Sequence, residues 1–382
     1  MTLHEEFQKE LSEEISKALS LEDQLDALRL FKKTKVQKIQ QEDISQASSL
    51  PETFFKLSTL ADVILSEALL LVETELHTLY GYPAFIDNDG NIARSEFAVV
   101  GMGKLGGQEI HYGSDLDLIF LYSRNGNTQG RKSITHREYY ARLAQKLISY
   151  LSVPTVQGFA YKIDTQLRPS GNQGTLVSSL DAYADYQRNM AQPWEKQALL
   201  KARVVAGDPS FGKSLKKQFL TFIFSKPFSP RLHEEIHQHR LRMEQEIARE
   251  TPRRLHYKHG FGGLTDIEFS IQYLQLKMGK IFEGILTGNT LKAIELMGEK
   301  SLLKKEEYEI LKNAWLFYRL LELRMELKFD LKEGYIDPQS AWLDNLAETM
   351  GEASGLVLLN KFNETRQQVR RVYLRILQKE DE

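Results

Sequence analysis

Apolar residues recur every three or four positions along the first 80 residues, as Leu11, Ile15 and Leu19 and then as Leu25, Leu28 and Phe31. That spacing predicts helices. Pro51, suited to a helix's first turn, opens PETFFKLSTLADVILSEALLLVETEL, a long helix predicted to bury Phe55, Leu57, Leu60, Val63, Ile64 and Leu70. The texture changes at Gly81, where GYPAFIDNDGN is rich in turn residues. EFAVVG (96–101) and DLDLIFLY (115–122) read as short strands, and REYYARLAQKLISYL (137–151) as a helix with Tyr140, Leu143, Leu147 and Leu151 on one side. FAYKIDTQL (159–167) alternates like a half-buried strand, with Phe159, Tyr161, Ile163 and Thr165 opposite Ala160, Lys162, Asp164 and Gln166. Helical periodicity then returns in 192–206, 229–250, 264–279, 289–299, 304–331 and 353–379. There is no tandem repeat and no long heptad run. The expectation is an α+β chain: an N-terminal helical segment (1–90), a small α/β domain (91–207) and a C-terminal all-helical domain (208–382).

Glycine sharpens this division. Of 24 glycines none lies in 1–80, while twelve fall between Gly81 and Gly174. Glycine serves where backbone turns sharply or approaches a ligand. With no cysteine, disulfides, zinc-thiolate sites and thiol nucleophiles are excluded. The balance of 50 basic and 52 acidic side chains argues against nucleic acid held by overall charge. No apolar run reaches membrane-spanning length, and MTLHEEFQKELSEE is acidic rather than an export signal, so a cytoplasmic location without membrane partners is expected.

The chemistry concentrates in GMGKLGGQEIHYGSDLDLIF, residues 101–120. A glycine-rich turn with Lys104 follows one strand, and Asp115-x-Asp117 opens the next. On a strand the two carboxylates project to one side while Leu116 and Leu118 enter the core. Adjacent acids repel, a pairing that divalent cations relieve. Mg²⁺ takes one or two carboxylates plus phosphate oxygens. Two ions about 3.5–4 Å apart can clamp the attacking and leaving oxygens of a phosphoryl or nucleotidyl transfer. Asp164 would add a third carboxylate if its strand neighbours that of Asp117. The turn frees backbone N–H groups for phosphate. Alone, the DxD pair could be a solvated strand edge. The turn is neither a Walker A loop nor a clean dinucleotide fingerprint.

Gly103-Lys104 followed by Asp115-x-Asp117 resembles the polymerase-beta-like nucleotidyltransferase signature. GMGKLGGQEIHYGSDLDLIFLY, QLRPSGNQGTLVSSLDAYADYQ, WEKQALLKARVVAGD and GGLTDIEFSIQYL are similar, in order, to blocks of the glutamine synthetase adenylyltransferase family. Usual members of that family are longer and carry two nucleotidyltransferase halves, one removing AMP by phosphorolysis and one attaching it from ATP. YGSDLDL, LRPSG and AYADYQ look more like the attaching half. The resemblance implies a polymerase-beta-like sheet and a metal site of Asp115, Asp117 and Asp164 holding two Mg²⁺ ions, with Asp164 also a base. It further implies ATP as substrate, triphosphate contacts from Gly103, Lys104 and Ser114, glutamine synthetase as the protein substrate, and a PII-type signal protein as a further partner. The activity implied is AMP transfer to a tyrosine hydroxyl with release of pyrophosphate, in the regulation of nitrogen metabolism. The alternatives are phosphorolytic removal of AMP, a nucleotidyltransferase acting on RNA ends, and a silent regulatory module of the same fold.

Other residues allow two readings. Arg168, just past the acidic strand, is a phosphate contact or brace of a turn. Glu195, Lys201 and Arg203, read on one helix, suggest structural ion pairs. Thr265-x-x-Glu268 is expected to be a capping box, with Ile267, Ile271, Leu274 and Met278 as the buried stripe; otherwise Asp266 or Glu268 lines the cleft. His233 and His237, with His239 nearby, read as a solvated face rather than a metal site. RRLHYKH (253–259) reads as surface, or as a phosphate or partner contact.

Overall fold

The computed structural model describes the chain except Asn88, 330–333 and 379–382. The chain forms two compact units, Met1–Ser225 and Lys226–Glu382.

The first unit opens with α1 (Leu3–Lys17), α2 (Leu21–Ile44) and α3 (Leu50–Tyr80). Capping boxes start α1 through Thr2 and Glu5 and α3 through Ser49 and Glu52, with Pro51 in the first turn of α3. Gly81 ends α3 at φ +75°, and a Cβ there would lie 2.4 Å from the Gly130 nitrogen, so only glycine fits. There follow β1 (Pro83–Ile86), β2 (Ile92–Arg94), β3 (Phe97–Gly101), α4 (Gly103–Gly106), β4 (Leu116–Tyr122), β5 (Asn127–Thr128) and α5 (His136–Ser152). After these come β6 (Ile163–Asp164), β7 (Val177–Ser179), α6 (Leu180–Asn189), α7 (Pro193–Leu199), β8 (Arg203–Gly207) and α8 (Pro209–Ile223). The main sheet has the order β6–β4–β3–β8, with β7 also pairing β4. β3 is antiparallel to β4 and β8, whereas β6 and β7 run parallel to β4. A smaller antiparallel sheet has the order β2–β1–β5.

One core joins the leading helices to the sheet. Leu57, Leu60, Val63 and Ile64 of α3 are buried together with Val99, Leu116, Leu118 and Phe120 of the sheet and Leu143 and Leu147 of α5. Tyr140 and Leu151 are buried as the helical spacing predicts. Three expected core residues are not. Phe55 lies roughly 200° around α3 from Leu57 and is 47% exposed, and Leu70 is 56% exposed. Leu19 falls in the link between α1 and α2 and is 98% exposed.

Three local expectations also change. GYPAFIDNDGN, read as turn, supplies β1, which pairs with β2 just beyond it. The alternation over 159–167 yields only the two residues of β6, with Phe159 exposed and Tyr161 buried. The helix expected over 192–206 ends at Leu199, because Val204 and Ala206 are taken up in pairing with the outer edge of β3.

The second unit contains α9 (Leu232–Met243), which passes into a π-helical turn, Glu244–Ala248, then β9 (Leu255–His256), α10 (Leu264–Met278), α11 (Thr290–Glu299), α12 (Lys305–Phe329), β10 (Tyr335–Ile336), α13 (Leu343–Thr349) and α14 (Gly355–Gln378). The β9–β10 ladder is an addition to the expected all-helical architecture. Ile267, Ile271, Trp315, Phe362 and Val369 are buried in its interior. Among the described residues no helix is long and apolar enough to cross a membrane.

Leu60, fully buried, should lose about 2–5 kcal/mol of stability on substitution by alanine, whereas Phe55→Ala should cost about 0.5 kcal/mol. Urea unfolding of the two variants checks this contrast.

Glu73 on α3 offers a pH test. Burial, with Asp208 nearby, pushes its carboxyl from 4.5 up to about 7. The folded state therefore keeps a proton that the unfolded chain releases, and stability falls as pH rises between those values. Glu73→Gln should be more stable than wild type above pH 7 by on the order of 3 kcal/mol and equal to it below the lower value. Denaturant melts at the two ends of the window measure the difference.

Candidate active site

Strand pairing decides which acids meet. β4 and β6 run parallel in a register that pairs Leu116 with Ile163 and Asp117 with Asp164. The two aspartates thus stand side by side on strands about 4.8 Å apart. Leu116 and Leu118 are fully buried, which turns Asp117 to the other side. Asp115 lies exposed just before β4. One oxygen of Asp164 accepts the Gln166 N–H at 2.7 Å, which orients that carboxylate. Among the described residues no three His, Asp or Glu side chains are grouped so as to hold a metal ion. What the backbone supplies is the Asp117–Asp164 pair with Asp115 two residues upstream. An all-oxygen set of this kind fits a hard divalent cation that draws its remaining ligands from phosphate and water.

The glycine-rich segment is a single helical turn rather than an open loop. Gly106, Gly107, Gln108 and Glu109 donate their N–H groups to the carbonyls of Met102, Gly103, Leu105 and Lys104, so these amides are already engaged. The amides at the head of α4 are the ones without an intrahelical acceptor. Met102 N–H donates to the Asp117 carbonyl at 2.8 Å, which fastens the turn to β4. Gly103 has φ +50°, and a Cβ there would fall 2.5 Å from Oδ2 of Asp117. Lys104 Nζ lies 2.9 Å from His111 Nε2. The Ser114 hydroxyl accepts the His111 N–H at 2.9 Å, folding the loop back toward the turn. His111 was absent from the sequence-based site; a lone histidine in a loop gave no signal.

Arg168 braces the loop after Asp164. Its guanidinium donates to the Thr165 carbonyl at 2.8 Å, the Thr165 hydroxyl at 2.7 Å and the Gly174 carbonyl at 3.3 Å. Glu195, Lys201 and Arg203 do not share a helix. Glu195 caps α7 through the Gln192 N–H and accepts the Tyr186 hydroxyl at 2.7 Å. Lys201 pairs with Glu109 at 2.9 Å, and Arg203 holds Asp62 of α3.

The motifs of the second unit are built into its own framework. α10 is capped at Gly263, so Thr265-x-x-Glu268 is not a capping box; the Thr265 hydroxyl instead lies 3.0 Å from His259 Nδ1. Asp266 is fully buried, pairs with Arg240 and Arg370, and accepts the Gly262 N–H at 3.0 Å. Of the expected stripe, Ile267 and Ile271 are buried while Leu274 and Met278 are half-buried. His237 is half-buried, with Nδ1 3.0 Å from the Tyr373 hydroxyl, not on a solvated face. In RRLHYKH, burial lowers His256 to about 4, and its Nδ1 accepts the N–H groups of Lys258 and His259 at 3.2 and 3.3 Å.

The first unit thus sets paired strand aspartates beside a glycine-opened turn. A family model described as glutamate-ammonia ligase adenylyltransferase matches residues 1–218, and one described as GlnD PII-uridylyltransferase matches residues 231–377. The chain is 38% identical over 272 residues to a bifunctional glutamine synthetase adenylyltransferase/adenylyl-removing enzyme of Thioalkalivibrio sulfidiphilus, a match covering 69% of this chain and 28% of that protein. To the protein of the same description from Hahella chejuensis it is 34% identical over 309 residues, covering 79% of this chain and 32% of that protein. The matched stretch is thus only a third or less of either relative's length. The chain belongs to the glutamate-ammonia ligase adenylyltransferase family.

Gly103→Ala should strain both the left-handed backbone and the Asp117 carboxylate, at a cost of about 1–3 kcal/mol. A lowered thermal midpoint is expected; an unchanged one contradicts the close approach.

Proposed function

We propose that the chain transfers AMP from ATP to a tyrosine hydroxyl of glutamine synthetase and releases pyrophosphate. The observation that carries this reading is the in-register pair Asp117–Asp164 beside Gly103. Asp117 and Asp164, with Asp115 two residues upstream as a further carboxylate, would hold Mg²⁺ together with phosphate and water, and the ion when bound would supply charge neutralisation at the phosphates. Gly103, Lys104 and Ser114 would contact the triphosphate, with Arg168 steadying the loop behind Asp164. The tyrosine oxygen attacks the α-phosphorus in line, forming the new P–O bond as the bond to the β-phosphate oxygen breaks. Asp164, oriented by Gln166, takes the phenolic proton. Positioning and charge stabilisation account for most of the rate enhancement in such transfers.

The family's bifunctional relatives make the reverse reading specific. Phosphorolysis on the same residues would use phosphate to remove AMP and release ADP. A PII-type signal protein is the proposed regulator; the match of residues 231–377 to the PII-uridylyltransferase model is compatible with that partner.

Glutamine synthetase incubated with the chain, Mg²⁺ and ATP labelled in the α-phosphate should become labelled, with pyrophosphate formed. Asp117→Asn should lower the rate at least about a hundredfold. ADP release from AMP-modified synthetase, without labelling of the unmodified form, would instead establish the reverse direction. Full labelling by Asp117→Asn would sink both.

A further inference from the structure

Arg203 is the first residue of β8 and pairs in register with Gly101 at the end of β3. Its guanidinium makes a two-pronged pair with Asp62 of α3, Nη1 to Oδ2 at 2.6 Å and Nη2 to Oδ1 at 3.0 Å. The same Nη2 donates to the Leu105 carbonyl at 2.9 Å, and Nε to the Gly106 carbonyl at 3.3 Å. Both carbonyls belong to the helical turn that Gly103 opens. Two residues earlier, Lys201 donates to Glu109 at 2.9 Å, both side chains being almost out of solvent. The Lys201 carbonyl oxygen lies only 1.7 Å from where a Cβ on Gly106 would be, so main chain presses on main chain there.

The turn is therefore held on one side at Leu105, Gly106 and Glu109, while Gly103 lies against Asp117. A planar guanidinium can grip both oxygens of one carboxylate and two carbonyls at once, four acceptors that the three N–H donors of an ammonium cannot all serve. Asp62 is buried and uses both oxygens on Arg203, so the fork has one orientation. A strand-end cation with these partners fixes the depth at which the turn sits over β4.

We propose that Arg203, oriented by Asp62, is a positioning residue for the nucleotide: it sets the turn carrying Gly103 and Lys104 at the distance from Asp117 that triphosphate binding requires. This rests on the reading of that turn as the triphosphate contact. Arg203 touches neither substrate nor reacting atoms and acts through the turn.

The test measures Mg²⁺-ATP binding to the full chain by calorimetry, at a temperature where each protein is folded, for wild type, Arg203→Lys and Asp62→Asn. Amide hydrogen exchange is followed in parallel. Arg203→Lys should weaken ATP binding about tenfold and speed exchange at Gly106, Gly107 and Glu109 far more than at Val99 or Leu118. Asp62→Asn should show the same local pattern with a smaller loss of affinity. Variants that melt earlier but bind ATP like wild type, with exchange raised evenly, would show a stability role only and overturn the proposal. If Arg203→Lys does not fold, Asp62→Asn decides by the same two readouts. A wild type that binds no ATP would remove the underlying nucleotidyltransferase reading and the proposal with it, an outcome visible before any variant is compared.

Discussion

The Asp117 carboxylate occupies the place where a side chain on residue 103 would begin, and most of the site's geometry follows from that closeness. Met102 N–H bonded to the Asp117 carbonyl brings the two segments together, and the antiparallel pairing of β3 with β4 delivers Met102 to that position. The parallel register of β6 then places Asp164 beside Asp117. Turn, strand acid and neighbouring acid are thus located by one main-chain contact and two ladders. A β-carbon at 103 would push the turn away from the carboxylate or displace the carboxylate itself. Glycine here is a steric requirement before it is a conformational one, although φ +50° makes it both.

Buried charges fix the rest. Burial raises the Asp62 carboxyl and the Arg203 guanidinium opposes that rise, the signature of a pair that desolvation disfavours and Coulomb attraction restores. Such pairs add little net stability compared with apolar residues of like size, yet removing one partner is expensive. Their placement at Leu105, Gly106 and Glu109 suits a role in geometry more than one in stability. The second unit repeats the device for a different end. Burial likewise raises Asp266, opposed by Arg240 and Arg370, and there the charges join α9, α10 and α14 within one framework.

Helical periodicity made α3, α5, α10, α11, α12 and α14 legible, whereas the short α13 lay outside every predicted segment. Of the acids, the DxD at a strand start and Asp164 in a second β-like run stand out in the sequence, and the register sets Asp117 beside Asp164, while Asp115 lies just before the strand. What sequence did not reveal were features set by partners distant in the chain. Val204 and Val205 carry no mark distinguishing a helix end from an edge strand until β3 offers its free side. Asp266 reads as a candidate to line the cleft until Arg240 and Arg370 arrive from other helices. The glycine run read as a loop with open amides, but its small residues allow a tight helical turn that uses most of them. Phe55 and Leu70 show the limit of periodicity itself, since a helix apolar on most sides does not announce which side is buried.

The leading helices belong to the site's framework rather than merely preceding it. α3 shares its apolar face with the sheet and also contributes Asp62, without which Arg203 would face the turn as a half-buried cation lacking its carboxylate. α2 reaches the same segment from the other end, where the Tyr112 hydroxyl donates to Asp43 at 3.4 Å. Between them these two contacts bracket the stretch from the glycine turn to Gly113. Separating the sheet from its helical lead would expose the faces of β3 and β4 opposite the site and at the same time release the turn and the loop that follows it. The requirement for apolar burial and the requirement for a fixed turn are therefore met by the same helix, which ties the placement of Gly103 to the packing of Leu57, Leu60 and Ile64.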